Sequence, residues 1–406
     1  MRSVLTLPDD GARTFGAHVA GLLGAMGAAQ RGTGPAVEVL EGPAAGEFVQ
    51  TFPQDAPAGT AAVIRTSGST GMPKRTALPA ASLAASAAAT REHLGGDGHW
   101  LLALPLHYVA GLAVLSRALL GDTRVAALDL RERFTPEAFT AATRVLADQA
   151  ALDADLLEEA PRPLYTSLVP TQLTRLLEDD DATEALRSYA AVLVGGGRTP
   201  DATRARAREA GIAVVLTYGS AETCGGCVYD GVPLPGVTAE AVNGRLRLGG
   251  AMVAGPYLGD PERTAEHFSE EHGTRFYLTD DLGEVTDGVL SVSGRVDDVI
   301  NTGGVKVSAQ AVQRVIEALP GVRGVLVIGV PDPEWGQRVG LVLEEAPGTG
   351  IAVPDDATVA SAVRAALGAP AVPRLVWRPA ALPRLGNGKP DRRASINALE
   401  ALGREA

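Results

Sequence analysis

The stretch from residue 61 to residue 218 alternates short apolar runs with longer segments of helical character. The apolar runs cover residues 61–66, 100–105, 124–128, 164–169, 190–194 and 213–217. The helical segments between them cover residues 80–94, 110–120, 136–147, 171–178 and 200–210. This alternation predicts an α/β fold with a doubly wound parallel sheet that helices cover on both faces. Ligand-binding residues are then expected where the strands end, at the carboxyl edge of the sheet.

The remainder of the chain follows a different pattern. A helical segment at residues 15–28 comes first, and short alternating strands after Gly244 predict a small antiparallel element. The tail from Arg295 predicts a small α+β module with helices at 309–318 and 358–367 and strands at 322–330 and 338–343. Because 406 residues exceed what one compact core usually holds, we expect two domains, residues 1–295 and 296–406.

Composition excludes several classes of partner. The chain is 46% hydrophobic and carries a formal net charge of -12, with 36 basic against 48 acidic residues. Without a basic patch, nucleic acid and anionic membranes are poor partners. Residues 1–40 show no basic segment followed by a continuous apolar stretch, and no apolar run is long enough to span a bilayer. We therefore expect a cytoplasmic protein without a membrane span.

A loop rich in serine, threonine and glycine follows the first apolar run. It consists of Thr66, Ser67, Gly68, Ser69, Thr70, Gly71, Met72, Pro73 and Lys74. Glycine lets backbone N–H groups converge on one concavity, hydroxyls add donors and lysine adds a positive charge, so the loop is suited to binding phosphates. It differs from the nucleoside-triphosphatase loop because a proline precedes its lysine, and we expect it to be extended and mobile. The alternative is a flexible surface turn.

Further blocks of polar residues follow downstream. They are residues 218–223, 276–283, 294–300, 303–307 and 385–389. In the first block Tyr218 can stack on a flat base, and Glu222 can bind Mg²⁺, which prefers oxygen ligands together with substrate phosphates. In the second, Asp280 and Asp281 can accept hydrogen bonds from ribose hydroxyls. Each charge taken alone is as easily explained as a solvated surface residue.

Together these blocks identify the chain as similar to the adenylate-forming acyl-CoA ligase superfamily. They occur in the superfamily's order from about residue 61 to residue 393. Within it, residues 105–111, 167–173 and 222–229 most resemble the o-succinylbenzoate–CoA ligases of menaquinone biosynthesis. The resemblance implies a large N-terminal domain, a small mobile C-terminal domain, and formation of an acyl-adenylate that is passed to CoA with release of AMP and pyrophosphate. Another aryl- or acyl-CoA ligase, an adenylation enzyme that loads a carrier protein, and a non-catalytic nucleotide sensor stay open as alternatives.

The resemblance also implies roles for individual residues in binding ATP. The loop from Thr66 to Lys74 would hold the phosphates. Glu222 would bind Mg²⁺, and Thr223 would contact the α-phosphate. In the ribose-binding block of the superfamily the aspartate corresponds to Asp281, because Asp280 replaces a glycine.

The remaining implied roles concern the domain boundary and the C-terminal domain. Arg295 would contact the ribose, and Asp297 would be the hinge between the domains. Lys389 would bridge the acid and the α-phosphate, and the glycines at 303–304 would line a tunnel for the pantetheine arm of CoA. The expected partners are thus a small carboxylate, ATP and CoA; a homodimer is compatible with this interpretation.

The acid-binding residues are expected at the carboxyl ends of other strands. His107 follows an apolar run, and we favour a role in the acyl pocket, where it hydrogen-bonds the substrate; a satisfied buried histidine is the alternative. Gly195 and Gly196 follow another run and would let a flat ring approach the backbone. Ser220, with Arg162 and Gln172, is a candidate for contact with a second carboxylate. Lys389, Glu222 and His107 are the expected catalytic residues.

The two cysteines form a single C-x-x-C pair, Cys224 and Cys227. No second pair completes a zinc site, and no thioredoxin-like strand and helix flank them. We expect them to be small residues that line a pocket rather than redox or metal-binding groups.

Overall fold

A computed structural model of the protein describes residues 10–41, 48–66, 74–129, 131, 134–158, 160–345, 352–384 and 390–405. The chain divides into two compact units. The first comprises residues 1–240, 247–278 and 286–290, and the second comprises residues 241–246, 279–285 and 291–406. The chain thus passes between the units several times before residue 295, and the simple boundary of 1–295 and 296–406 stays a prediction.

A four-stranded sheet opens the first unit. Its elements, with the flanking helices, are α1 (Asp10–Gln30), β1 (Val37–Glu41), β2 (Phe48–Thr51), β3 (Thr60–Thr66), β4 (Lys74–Pro79) and α2 (Ala80–Leu94). The strand order is β2–β1–β3–β4, in which β3 runs parallel to β1 and antiparallel to β4. The expectation that residues 61–66 belong to the main parallel sheet is therefore wrong. The chain returns after the loop as β4 and pairs with β3 directly, before α2 begins.

The main sheet of this unit has seven strands. Its elements are β5 (His99–Leu102), α3 (Val109–Leu120), β6 (Val125–Ala127), α4 (Pro136–Leu157), β7 (Leu164–Leu168), α5 (Pro170–Leu177), α6 (Asp180–Arg187), β8 (Ala191–Val194), α7 (Asp201–Glu209), β9 (Val214–Ser220), β10 (Gly225–Tyr229) and β11 (Val232–Pro233). The order is β11–β10–β9–β8–β7–β5–β6, and the strands from β9 to β6 are parallel. β10 and β11 extend the sheet in antiparallel orientation. The predicted parallel sheet is confirmed.

Helices cover this sheet on both faces, as predicted. Because successive side chains of a strand point to opposite faces, Leu102 packs with Leu83 and Leu112 on one face, while Leu101 packs with Phe139 on the other. The first face is covered by α1, α2 and α3, and the second by α4 to α7. Burial of both faces requires strands that are apolar throughout, which explains the continuous apolar runs in the sequence.

A third sheet is formed by strands between residues 238 and 295. Its elements are β12 (Thr238–Val242), β13 (Arg245–Gly249), α8 (Pro261–His267), β14 (Phe268–Glu271), β15 (Thr274–Thr286) and β16 (Val289–Arg295). The order is β12–β13–β15–β14, with β16 paired to β15. These strands correspond to the small antiparallel element expected from the sequence.

The rest of the second unit is an α+β structure. Its elements are β17 (Val299–Thr302), β18 (Val305–Ser308), α9 (Ala309–Glu317), β19 (Val325–Asp332), β20 (Gly336–Leu343), α10 (Asp356–Leu367), β21 (Leu375–Trp377) and α11 (Arg392–Glu405). The order is β18–β17–β20–β19, with β21 on β20. Two apolar clusters fill this part: α9 and α10 pack against residues such as Leu341, and α11 packs against Val342. In the described part of the chain, no helix combines the length and apolar character needed to cross a bilayer.

Candidate active site

The strand pair β3 and β4 fixes the two ends of the predicted phosphate loop. Thr66, the last residue of β3, is paired with Lys74, the first residue of β4. Ser67, Gly68, Ser69, Thr70 and Gly71 lie outside the described residues, so their assignment as phosphate ligands stays a prediction. The Nζ atom of Lys74 lies 5.3 Å from the centre of the Tyr257 ring. A cation near an aromatic face is stabilised there by the ring quadrupole.

Tyr257 is held beside Lys74 by backbone hydrogen bonds. The segment that contains it runs along β4: Gly255 N–H donates to the Ala77 carbonyl at 2.8 Å, and Leu258 N–H donates to the Arg75 carbonyl at 2.7 Å. The Tyr257 hydroxyl donates to Oε1 of Glu222 at 2.7 Å in a buried environment. Tyr257 therefore connects the end of the phosphate loop to the predicted magnesium ligand. Sequence reasoning missed it.

Glu222 lies in a short 3₁₀ turn, Ala221–Thr223, between β9 and β10. Its side chain is buried, and its carbonyl accepts a hydrogen bond from Ala254 N–H at 2.8 Å. The Thr223 hydroxyl fixes the turn, because it accepts from Ser220 N–H at 2.9 Å and donates to the Gly225 carbonyl at 2.8 Å. Thr223 is fully buried by these contacts, and its predicted contact with the α-phosphate stays a prediction.

A magnesium ion fits the chemistry of this carboxylate. Mg²⁺ usually binds to proteins through one or two carboxylates, with substrate phosphates and water as its other ligands. Oε1 of Glu222 is oriented by Tyr257, which is the arrangement expected for a metal-ligating carboxylate with a supporting hydrogen bond. Within the described ranges no cluster of three metal-binding side chains occurs, so any ion here would depend on the nucleotide for further ligands.

Two glycines near this turn allow close backbone approach. A Cβ atom on Gly219 would lie 2.2 Å from the carbonyl oxygen of Gly225 on the neighbouring strand. A Cβ atom on Gly195 would lie 2.3 Å from the hydroxyl of Thr217. Gly195 and Gly196 follow β8, and Tyr218 and Ser220 lie on β9, so all four residues are at the same edge of the main sheet. The hydroxyl oxygen of Ser220 is buried without a hydrogen-bond partner among the described residues.

His107 follows β5 and therefore lies at this same carboxyl edge. The residue is 9% exposed, and its ring packs on Tyr108 with 4.1 Å between the ring centres. Its Nε2 atom is buried and has no hydrogen-bond partner in the described structure. Burial lowers the pKa of the imidazole from its usual 6.5, against a smaller opposing effect from the charge of Glu41. His107 is thus predominantly neutral at neutral pH and has a ring nitrogen that lacks a protein partner.

Gln172 and Arg162, two further candidates for contact with a second carboxylate, form hydrogen bonds to the backbone. Gln172 donates from Nε2 to the Ala103 carbonyl at 2.9 Å and accepts from Val169 N–H at 3.0 Å, which fixes the start of α5. Arg162 donates to the Gly121 carbonyl at 3.2 Å, near the amino end of β7. The structure therefore does not bring Arg162 together with His107, which lies at the carboxyl edge.

The predicted ribose-binding residues form an ionic cluster in the second unit. Arg295 Nη1 donates to Asp281 Oδ1 at 3.1 Å, and Arg295 Nε donates to Asp297 Oδ1 at 2.9 Å. Burial opposes the charge of Arg295, but the bond to Asp297 and the charge of Asp281 raise its pKa above the usual range. The structure thus brings together three residues that the sequence placed in two separate blocks. Asp297 is in the short turn Val296–Asp298, where the hinge is predicted.

Asp280, which replaces the glycine of the superfamily's block, forms an ion pair with Arg245. Arg245 Nη2 donates to Asp280 Oδ1 at 3.2 Å, while Nη2 of Arg295 is 3.7 Å from Asp280 Oδ2. Arg245 also donates from Nε to the Thr279 carbonyl at 2.9 Å. The additional negative charge is therefore offset by a second cation that sequence reasoning did not identify.

The other predicted residues have the following positions. The glycines at 303–304 form the two-residue turn between β17 and β18. Lys389 lies outside the described residues, and its catalytic role stays a prediction. Cys224 and Cys227 are both free and buried; burial raises the pKa of the Cys224 thiol well above its usual range and that of Cys227 to about 12. Such thiols are predominantly protonated and poorly nucleophilic.

Family models match most of the chain. Residues 28–262 match the AMP-binding enzyme family, and residues 311–389 match the AMP-binding enzyme C-terminal domain. The chain belongs to the AMP-binding enzyme family. The family explains why a phosphate loop, the turn with Glu222 and the cluster around Arg295 occur in one sequence, and the predicted adenylate-forming fold is confirmed.

Two proteins similar to this chain are both named as 2-succinylbenzoate–CoA ligases. The chain is 40% identical over 342 residues to the probable 2-succinylbenzoate–CoA ligase of Mycobacterium tuberculosis (strain H37Rv), covering 83% of this chain and 84% of that protein. It is 32% identical to the 2-succinylbenzoate–CoA ligase of Escherichia coli (strain K12), covering 69% of this chain and 57% of that protein.

Solved structures of AMP-binding enzymes are similar as well. One is o-succinylbenzoate CoA synthetase (MenE) from Bacillus subtilis in complex with the acyl-adenylate intermediate OSB-AMP, with a TM-score of 0.64 and 25% identity over 84% of this chain and 69% of that chain. Another is ATP-bound MatB from Rhodopseudomonas palustris, with a TM-score of 0.70 and 25% identity over 87% of this chain and 71% of that chain.

Proposed function

We propose that this protein is an AMP-forming acid–thiol ligase that converts 2-succinylbenzoate and CoA to 2-succinylbenzoyl-CoA in menaquinone biosynthesis. The observation that carries the proposal is 40% identity to a relative of that named activity over more than four-fifths of both chains. The structure of a similar enzyme with its acyl-adenylate supports the same chemistry.

The reaction has two steps. In the first, a carboxylate oxygen of the acid attacks the α-phosphorus of ATP, and pyrophosphate leaves. In the second, the sulfur of CoA attacks the acyl carbon, the thiol proton is lost and AMP leaves. Two anions meet in the first step, so the protein must supply positive charge and position the reactants, rather than perform acid–base chemistry.

The residues around Glu222 would serve the first step. Mg²⁺ held by this carboxylate would offset the negative charge of the phosphates. The hydrogen bond from Tyr257 would fix the orientation of the carboxylate, and Lys74 would add a positive charge at the end of the phosphate loop. Lys389 would bring a second cation to the acid and the α-phosphate. Its role is inferred from the resemblance alone.

The ionic cluster of the second unit would bind the ribose. Asp281 would accept hydrogen bonds from the ribose hydroxyls, while Arg295 keeps its carboxylate ionised and oriented. The bond from Arg295 to Asp297 would tie the ribose contact to the hinge. A hinge at this position would let one domain serve both steps, because CoA must reach the adenylate after the lysine has left.

Residues at the carboxyl edge of the main sheet would bind the acid. His107 presents a neutral ring with an unpartnered Nε2, and Ser220 presents an unpartnered hydroxyl oxygen. A second carboxylate or a keto oxygen on the substrate would satisfy such groups, since buried polar atoms generally have partners. Gly195 and Gly196 would leave room for the aromatic ring. A cytoplasmic location and a homodimer are further parts of the proposal that rest on the sequence.

A substrate panel tests the proposed acid directly. Purified protein is incubated with ATP, Mg²⁺, CoA and one acid at a time, and the CoA thioester is measured by mass spectrometry. We expect turnover with 2-succinylbenzoate to exceed that with benzoate, malonate or a fatty acid. Clear turnover of one of the other acids, with none for 2-succinylbenzoate, would contradict the assigned substrate while leaving the adenylating chemistry intact.

A further inference from the structure

A cavity of about 210 Å³ lies in the first unit, between α2, α3 and the beginnings of β5 and β7. Its walls include Trp100 at the start of β5, Tyr165 at the start of β7 and Gly121 just after α3. In a parallel sheet the strands begin at one edge and end at the other. The cavity is therefore at the opposite edge from His107, and it is separate from the site proposed above.

Arg117 brings a buried positive charge into the wall of this cavity. The residue is 8% exposed. Its Nη2 atom donates to the Tyr229 hydroxyl at 3.3 Å, and its guanidinium carbon is 5.3 Å from the centre of the Trp100 ring. By the 4.0 Å criterion Arg117 forms no ion pair with a carboxylate among the described residues. A guanidinium has five N–H donors, and a buried charge normally has a counter-ion, so an anion is the missing partner.

The other charges of the cavity wall compensate one another. Arg91 and Asp97 are the remaining ionisable groups with a formal charge, and their nitrogen and oxygen are 3.7 Å apart. Both side chains are partly exposed, at 56% and 33%. The wall thus carries two arginines against one aspartate, and the uncompensated positive charge is the buried one, at Arg117.

Apart from Thr90, whose hydroxyl bonds to Ser86 and Tyr229, the rest of the wall is apolar and aromatic. The rings of Trp100 and Tyr165 are 5.2 Å apart and tilted by 50°. The Tyr165 hydroxyl donates to the carbonyls of Leu94 and Gly96, so its polar atom is already satisfied. The residue contributes to the cavity wall. A cavity of about 150 Å³ is sufficient to hold benzene. The larger volume here has room for one aromatic ring and a carboxylate.

We propose that this cavity is a binding site for a small aromatic carboxylate, whose carboxylate pairs with Arg117 and whose ring lies beside Trp100 and Tyr165. Guanidinium and carboxylate form paired, charge-assisted hydrogen bonds. The site does not depend on the proposed ligase activity, because it uses none of the residues assigned to ATP or to the acyl pocket.

Benzoate and its neutral counterpart benzamide are the probes. The chain has three tryptophans, Trp100, Trp335 and Trp377, so the double variant Trp335→Phe, Trp377→Phe leaves Trp100 as the reporter. We expect benzoate to change Trp100 fluorescence saturably, and benzamide to bind at least tenfold more weakly. Arg117→Met in the same background should weaken benzoate binding at least tenfold. The matched variant Arg91→Met removes a compensated cation and should change it less than threefold.

The following outcomes would overturn the proposal. They are no saturable response to benzoate, equal binding of benzamide, undiminished binding by Arg117→Met, and an equal loss in Arg91→Met. His107→Ala should leave the Trp100 response unchanged; loss of the response there would place benzoate in the acyl pocket and also overturn it. If Arg117→Met does not fold, Arg117→Lys replaces it. The lysine variant keeps the charge without the planar donors, and should still prefer benzoate to benzamide but bind it more weakly.

Discussion

Among the side chains of the candidate site, Tyr257 shows what the fold adds to the sequence. Its hydroxyl bonds to Glu222, 35 positions away along the chain, and its ring lies near the Nζ atom of Lys74. The segment of glycine and proline around Tyr257 lies in none of the polar blocks that the sequence analysis identified. Its pairing with β4 is a long-range contact that local sequence does not encode. The site residues that lie within sequence motifs, such as Glu222, could therefore be predicted. The contact of Tyr257 with Glu222 could not.

Tyr257→Phe tests this orientation. Removal of the hydroxyl leaves the Glu222 carboxylate without its supporting hydrogen bond, and loss of such partners typically costs 10–100-fold in metal affinity or activity. We expect acid-dependent pyrophosphate exchange to fall by about tenfold or more, with a higher magnesium requirement. The control is Tyr189→Phe, which removes an equally buried hydroxyl bonded to Thr143 at 2.8 Å. Equal activity losses in the two variants would show that Tyr257 matters for folding only.

A pair of substitutions separates the roles of Asp280 and Asp281. Asp281→Asn removes the charge that Arg295 orients, and we expect the KM for ATP to rise by about tenfold, in line with the loss of a charge-assisted hydrogen bond. Asp280→Asn removes the partner of Arg245 and should change this KM by less than about threefold. Steady-state kinetics at saturating acid gives both values. A larger effect of Asp280→Asn than of Asp281→Asn would show that Asp280, and not Asp281, contacts the ribose.

At the scale of secondary-structure elements, the alternating stretch was predicted well because both faces of the parallel strands are buried. The helix at 80–94 has the predicted bounds, and most others differ by one or two residues. α6 was missed although Asp179 caps it and acidic residues occupy its first turn, because it directly follows α5 in the chain. The assignment of β3 failed for another reason. Which strand pairs with which depends on contacts across the sheet, and an apolar run is compatible with several neighbours.

Glu38 connects three strands of the first sheet through its hydrogen bonds. This residue of β1 is 3% exposed and accepts hydrogen bonds from Arg65 Nε on β3 at 2.9 Å and from Arg75 Nε on β4 at 3.1 Å. Burial would raise the pKa of Glu38, but the bonds from Arg75 and Arg65 outweigh it and hold the pKa below its usual 4.5. Because the pKa is lower in the folded state, the stabilisation is present above pH 4.5 and is lost as the pH falls through the folded value.

Glu38→Gln should therefore lower the free energy of unfolding by about 1–3 kcal/mol at pH 7, since it removes the carboxylate that pairs with Arg65 and leaves Arg75 paired with Asp55 alone. The difference from the unsubstituted protein should shrink as the pH falls below 4.5. Urea unfolding followed by circular dichroism at several pH values measures it. Glu184→Gln is the control, because the pair with Arg187 is at the surface and such pairs contribute little. A difference that does not depend on pH would rule out the ionic explanation.

At the scale of the whole molecule, some of the predicted site residues belong to one compact unit and some to the other. Glu222, His107 and Lys74 are in the first, and Asp281 and Arg295 are in the second. The sequence predicted two domains because of the change in pattern near residue 295. It did not predict that residues 241–246 and 279–285, which precede residue 295, belong to the second unit, because a contiguous domain boundary is the simplest interpretation of such a change.

Lys389→Ala tests the assignment of the two half-reactions. We expect adenylate formation to fall by at least about a hundredfold, because the cation that bridges the acid and the α-phosphate is removed. Thioester formation from supplied acyl-adenylate should be largely retained. Arg393→Ala, which removes an exposed cation of α11, is the control and should leave both steps near the unsubstituted rates. Equal losses in both steps for Lys389→Ala would contradict the assigned role.

The central claim is that an oxygen of the acid attacks the α-phosphorus of ATP. It is tested most directly with 2-succinylbenzoate whose carboxylates carry ¹⁸O, incubated with the enzyme, ATP and CoA, followed by mass spectrometry of the products. The account predicts that one ¹⁸O atom is transferred to AMP for each thioester formed and that pyrophosphate carries none. Recovery of the label in orthophosphate, with ADP as the nucleotide product, would contradict it.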